Sequence, residues 1–121
     1  MSKPRVFVVQ QPTGRDRVTQ AIRNTMDLTP ATEFGDLCFI LKESDNPFKD
    51  INTITRRVHH YLLERQYGPQ DFLLLVGNPV LIAVVAAVAA THLDKLQVLQ
   101  WARSEGRYHP VAFQLPDLAS A

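Results

Sequence analysis

Four histidines and one cysteine are the side chains with the widest chemical range in this 121-residue chain. His59, His60, His92 and His109 are scattered, and none has a second ligand at the spacing of a zinc site. The neighbours His59 and His60 point to different sides of a helix. The sequence therefore predicts no metal site and no cofactor. Cys38 lies inside an apolar run, where a thiol is more often a core residue than a nucleophile. A catalytic cysteine needs a histidine and an open, electropositive setting. G-x-S-x-G is absent, and so are the two phosphate-cradling signatures, G-x-x-x-x-G-K-[ST] and G-x-G-x-x-G. No residue is assigned a catalytic role, and the chain is read as a non-enzyme.

Two constellations could bind rather than react. The first centres on Gly77-Asn78-Pro79, where an apolar strand meets a helix start. Ligands of open α/β sheets bind beyond the carboxyl ends of strands, and a helix N-terminus offers free N–H groups and a dipole that favours anions. Gln10, Gln11, Thr13 and Arg15 follow the first strand, and Ser44 and Asn46 follow the second. If the first strand runs parallel to the others, Gln10, Gln11, Arg15, Ser44, Asn46, Gly77 and Asn78 converge on one edge. The alternative is that Asn78 only caps its helix.

The second constellation is a hairpin carrying Trp101, Arg103, Arg107 and Tyr108, with Lys95 nearby. Interleaved aromatic and basic groups can stack on bases and touch phosphates. Arg56 and Arg57 are candidates to extend that patch. The competing reading is a solvated hairpin whose Trp101 packs on the sheet, and the net charge of only +1 favours it.

These groups must be positioned by the elements around them. Residues 72–76 are a continuous apolar run without alternation, the pattern of a strand buried on both faces. Asn78 suits an N-cap and Pro79 the first helical position. Residues 80–92 are apolar almost all round, so that helix must be covered on several sides. Residues 72–90 hold no charge, but the Gly77-Asn78-Pro79 break leaves each half too short for the roughly 20 residues of a membrane span. Residues 5–10 read as the first strand and 36–42 as the second. Residues 15–30 carry a helical stripe of Val18, Ala21, Ile22, Thr25 and Met26, with an ordered loop as the alternative. Thr29-Pro30 marks a helix start or turn. A second helix is predicted from about residue 47 to 67, capped by Asn46 or Asp45. Its buried stripe is Ile51, Ile54, Val58, Tyr61, Leu62 and the stem of Arg65, and Gly68-Pro69 ends it. Residues 95–101 and 108–115 form strands four and five around a turn at 104–107. Pro110 suits an edge strand.

The expectation is a single α/β domain over 1–121, with a mostly parallel five-stranded sheet flanked by helices and a C-terminal β-hairpin adding an antiparallel strand. A hydrophobic content of 45% and a charged content of 21% are ordinary for a globular chain. One cysteine excludes an internal disulfide and suggests a reducing compartment. The N-terminus shows no signal-peptide core, so a cytoplasmic protein without a membrane partner is expected.

The ordered segments V-F-V-V-Q-Q-P (6–12), D-L-T-P-A-T-E-F-G-D-L (27–37), N-P-F (46–48), D-F-L-L-L-V-G-N-P-V-L-I (71–82), V-L-Q-W (98–101) and R-Y-H-P-V (107–111) resemble a group of small uncharacterised proteins of tailed bacteriophages and prophages. The resemblance covers nearly the whole chain and implies a phage or mobile-element origin, with nothing catalytic. In element order alone the chain is also similar to small viral α/β proteins that sequester nucleotide signals. The expected function is an accessory or regulatory factor that binds a host or phage protein or a nucleic acid. The alternative is a small-ligand or nucleotide binder using the Gly77-Asn78 edge. The helix at 80–92, which has no polar face, predicts a homo-oligomer, with Ala83, Ala86, Ala87 and Ala90 forming a smooth dimer stripe.

Overall fold

The computed structural model describes residues 3–12, 14–15, 22–23 and 28–116, with backbone alone at 14–15 and 22–23. Strand β1 is Arg5–Gln10. Gly14–Arg15 (β2) and Ile22–Arg23 (β3) pair antiparallel as a separate two-stranded ribbon. A 3-10 helix spans Thr29–Phe34, followed by β4, Asp36–Leu41. Helix α1 is Ile51–Glu64, β5 is Phe72–Leu74 and α2 is Pro79–His92. Strands β6, Lys95–Ala102, and β7, Arg107–Gln114, close the chain as a hairpin.

The main sheet has five strands in the order β4-β1-β5-β6-β7. β1 is parallel to β4 and β5, β5 is parallel to β6, and only β6 and β7 are antiparallel. The expected mostly parallel α/β sheet is the fold observed. β1 alternates across its two faces. Phe7 and Val9 join Ile54, Val58 and Leu62 of α1 and Leu81, Val85 and Ala89 of α2 in one core. Val6 and Val8 join Leu28, Ala31, Leu74, Leu99 and Tyr108 in a second core on the opposite face, beneath the 3-10 helix. Burial on both faces explains the unbroken apolar runs in β1 and β5.

Several boundaries differ from expectation for local reasons. β5 ends at Leu74 because the Val76 N–H turns back to the Leu74 carbonyl at 3.0 Å, while the Val76 carbonyl accepts from the Gln10 N–H. Helix α1 starts at Ile51, four residues after Pro47, because Asn46 and Pro47 build their own turn. The Asn46 side chain accepts from the Phe48 N–H at 2.9 Å, and the Asn46 carbonyl from the Lys49 N–H at 3.1 Å. Asp50 then precedes the helix in a left-handed conformation, with φ of 52° and no side-chain cap bond. The helix ends at Glu64 and is stopped by a left-handed Gln66 rather than by Gly68. Gln66 takes φ of 55°, and the Tyr67 and Gln66 N–H groups bond the Leu62 and Leu63 carbonyls, the two bonds of a Schellman stop. In residues 15–30 the helical expectation fails at Arg15, Ile22 and Arg23, which are paired strand residues, while Thr29 and Pro30 open the 3-10 helix, the helix start or turn expected there. Val18, Ala21, Thr25 and Met26 lie outside the described residues.

Helix α2 follows the sequence closely. Asn78 caps it by accepting from the Val80 N–H at 2.8 Å, and Pro79 opens it. Leu81, Val85, Val88 and Ala89 are buried, while Val80, Ala83, Ala87 and Thr91 lie exposed along one side. The β6–β7 turn uses Gly106 at φ of 64°. Pro110 sits on β7, the sheet's edge. Among the described residues no helix is long and apolar enough to cross a membrane.

Candidate functional site

The chain leaves β1 toward β4 on one side and returns through α1 to β5 on the other. The strand order therefore reverses between β1 and β5, the point where ligands seat in open α/β sheets. Gln10 is the last residue of β1 at that point, and only 7% of it is exposed. Its Nε2 donates to the Lys42 carbonyl at 3.0 Å and to the Asp45 carbonyl at 3.1 Å. Its Oε1 accepts from the Asn78 N–H at 2.9 Å. One amide thus ties the loop after β4 to the loop after β5.

Gly77 makes this possible. It has φ of 128°, and a Cβ there would lie 2.6 Å from the Gln10 Cβ. On the other side, Asp45 is clamped by the Lys42 N–H at 2.8 Å and the Arg57 guanidinium at 2.7 Å. Burial pushes the Asp45 carboxyl up, but Arg57 and the Lys42 N–H outweigh it and hold it below its ordinary value.

Between these loops lies an open depression of about 430 Å³, lined by Gln10, Glu43, Ser44, Asp45, Asn46, Pro47, Phe48 and Asn78. Of the residues expected at this edge, Gln10, Ser44, Asn46 and Asn78 share the depression. Gly77 packs against Gln10 from behind. Gln11 follows β1, its N–H bonded to the Leu41 carbonyl, and does not line the depression. Thr13 and the Arg15 side chain lie outside the described residues. The polar side chains that do meet are largely engaged with backbone: Asn78 accepts from the Val80 N–H, Asn46 from the Phe48 N–H, and Gln10 bonds three backbone groups. Glu43 and Asp45 bring carboxylates, which disfavour an anion.

Phe48 stands on the rim, 94% exposed. It is the most exposed large apolar side chain among the described residues, and its turn is held by Asn46 and Pro47. Leu75, Val80 and Trp101 are also exposed, and all follow or end strands at this same carboxyl edge.

The hairpin constellation is only partly assembled. Trp101 and Tyr108 are cross-strand partners with ring centroids 4.9 Å apart, Trp101 exposed and Tyr108 buried. Arg103 is exposed in the turn. Arg107 is paired with Glu33 at 3.2 Å. Lys95 pairs in register with Gln114 at the other end of the hairpin, seven residues or roughly 23 Å from Ala102. Arg56 and Arg57 belong to α1, on the face opposite to Tyr108, and Arg57 is bonded to Asp45. Lys95, Arg56 and Arg57 therefore add nothing to a patch around Trp101.

Two groupings escaped the sequence reading. His59 of α1 and His92 of α2 meet, with His59 Nδ1 3.1 Å from His92 Nε2 and ring centroids 5.0 Å apart. A separation of 33 positions in the sequence hides the pair, and only helix packing reveals it. At the amino edge, Asp71 is buried and accepts from the Arg5 and Gly68 N–H groups, each at 2.9 Å. The Arg5 guanidinium lies 3.5 Å from it and also donates to the Arg65 carbonyl. The adjacent Tyr67 hydroxyl is pushed up to about 12 by burial and by Asp71. A charged residue directly ahead of an apolar strand was the available signal for Asp71. Burial likewise pushes the Cys38 thiol up, away from the reactive thiolate.

No curated protein and no solved structure matches the chain. A family model described as Phage Pam3 gp32-like protein matches residues 4–115, nearly the whole length. The chain therefore belongs to the Phage Pam3 gp32-like protein family, which agrees with the phage character of its ordered segments.

Proposed function

We propose that this phage-family protein is a non-catalytic, cytoplasmic accessory or regulatory factor that works by binding another protein through the carboxyl edge of its sheet. The observation that carries this reading is Phe48, 94% exposed on a turn braced by Asn46 and Pro47. An aromatic ring projecting from a hydrogen-bonded turn is the kind of group that anchors protein interfaces. Nucleic acid is the weaker partner class, because Arg107 is neutralised by Glu33 and Lys95 is remote from Trp101. The test places a photo-crosslinking residue at position 48 in phage-infected cells, with position 63 on α1 as control. A partner captured only from position 48 is then purified and titrated. Phe48→Ala should weaken its binding at least about tenfold, the scale of an aromatic anchor. Equal binding by wild type and Phe48→Ala refutes the reading.

The active unit is a homodimer formed along α2. Val80 is 50% exposed, Ala83 and Ala87 are exposed beside it, and the helix carries no Asp, Glu, Lys or Arg. A two-fold contact brings residues near the axis against their own copies, so an uncharged surface suits it.

A second reading, a small-ligand binder, draws on the 430 Å³ depression at the strand-order reversal. Native mass spectrometry of freshly purified protein separates the two. A bound small molecule lost in Asn78→Ala favours the ligand reading, and its absence favours the protein-binding one.

A further inference from the structure

The geometry points to a divalent-cation site formed by His59 and His92, taking nitrogen-seeking first-row ions such as Zn²⁺, Ni²⁺ and Cu²⁺. The observation is the approach of two ring nitrogens, His59 Nδ1 and His92 Nε2, to 3.1 Å across the α1–α2 joint. Two imidazoles bound to one cation at about 2.0–2.1 Å lie about 2.9 Å apart at a right angle and about 3.3–3.4 Å apart at the tetrahedral angle. The separation falls between these, so a cation can enter with shifts of a few tenths of an ångström.

The nitrogens are held there by the core. Val58 precedes His59 and is fully buried, as is Ala89 one turn before His92. Both helices therefore present their rings from anchored backbone. At this separation one neutral ring can donate its N–H to the other. On binding, that proton moves to the far nitrogen of the same ring, and each imidazole gives a lone pair to the cation. No electron changes hands and no bond breaks besides that N–H.

Ligand type sets the selectivity. Imidazole suits zinc, nickel and copper, while magnesium and calcium prefer oxygen. Among the described residues no group of three ligating side chains forms. Water completes the shell from the exposed side of His59, so binding is exchangeable rather than structural. His60 is adjacent in sequence, but its ring centre is 5.5 Å from that of His59 and it projects from another side of α1. The other close histidine contact, His109 with Glu105 on the hairpin, is the natural control.

The test uses the untagged full chain stripped with chelator and titrated with ZnCl₂, followed by long-range ¹H–¹⁵N spectra of the imidazoles and by calorimetry. The His59 and His92 signals should move together, and MgCl₂ should move neither. His59→Asn and His92→Asn should each weaken Zn²⁺ binding tenfold or more. His60→Asn and His109→Asn should leave it unchanged. Circular dichroism confirms that each variant folds, and Zn²⁺ should raise the melting midpoint of wild type but not of His59→Asn. The inference is overturned if millimolar Zn²⁺ leaves both signals in place, if His59→Asn and His92→Asn bind as wild type does, or if His109→Asn abolishes binding.

Discussion

Gln10→Leu is the sharpest test of how the carboxyl edge is held together. The side chain is nearly buried and makes three bonds, to the Lys42 and Asp45 carbonyls and from the Asn78 N–H, at 3.0, 3.1 and 2.9 Å. Each such bond contributes about 1 kcal/mol net, so their loss totals about 3 kcal/mol. Water can reach the freed groups through the open depression, so the larger penalty for sealed, unpaired groups does not apply. Leucine recovers about 1 kcal/mol by burying more apolar surface. The net loss is about 2 kcal/mol, which for a chain of this length lowers the melting midpoint by about 8 °C. Calorimetry and urea denaturation followed by circular dichroism read it directly. A fall of under about 2 °C would refute the claim that Gln10 staples the two loops. Gln10→Glu adds a second arm. It replaces the donor with a carboxylate oxygen facing two carbonyls, so at pH 7 it should be worse than leucine. Its stability should recover as pH falls toward about 5, because a buried carboxyl with a raised pKa binds its proton more tightly in the folded state.

Three further outcomes are expected. Gly77→Ala should cost at least about 2 kcal/mol, since alanine resists φ of 128° and its Cβ would meet Gln10 at 2.6 Å; a melting curve matching wild type would contradict this. Asp45→Asn should lower stability by about 1 kcal/mol at neutral pH, a value discounted because Arg57 is half exposed. The Asp45 pKa is depressed in the folded state, so its contribution is present above the ordinary 3.8 and is lost as pH falls below it. Acid titrations of the two proteins should converge as pH falls below 3.8, and a constant gap would sink this assignment. Ala87→Asp should leave the protomer folded, because Ala87 is exposed, yet shift the mass seen by light scattering from twice 13.7 kDa to 13.7 kDa. Ala89→Asp, at a fully buried position, should unfold the chain. A wild-type mass of 13.7 kDa would remove the dimer.

The amino-acid sequence by itself determined what local chemistry and periodicity can determine. The unbroken apolar run at Leu73 announced a strand covered on both faces, and the β-branched and aromatic residues around Val6 announced a strand. Asn78 and Pro79 announced the start of α2, and Gly106 and Pro110 announced the hairpin and its edge. Parallel order of β4, β5 and β6 followed from strand–helix alternation, but the direction of β1, and with it the convergence of Gln10 with Ser44, Asn46 and Asn78, was left as a condition that only the sheet pairing met. Tertiary structure decided whatever depends on partners distant in the chain. Asn46 reads as a helix cap, yet its turn, with Pro47, closes before α1 begins. Gln66, which nothing local marks as a stop, ends α1 through two bonds to Leu62 and Leu63. Gln10 looked like a ligand-facing amide until Lys42, Asp45 and Asn78, 32 to 68 residues away, took up its three bonds. The meeting of His59 and His92 has no local signature, because the angle at which α1 and α2 pack is set by the core beneath them rather than by the residues that touch.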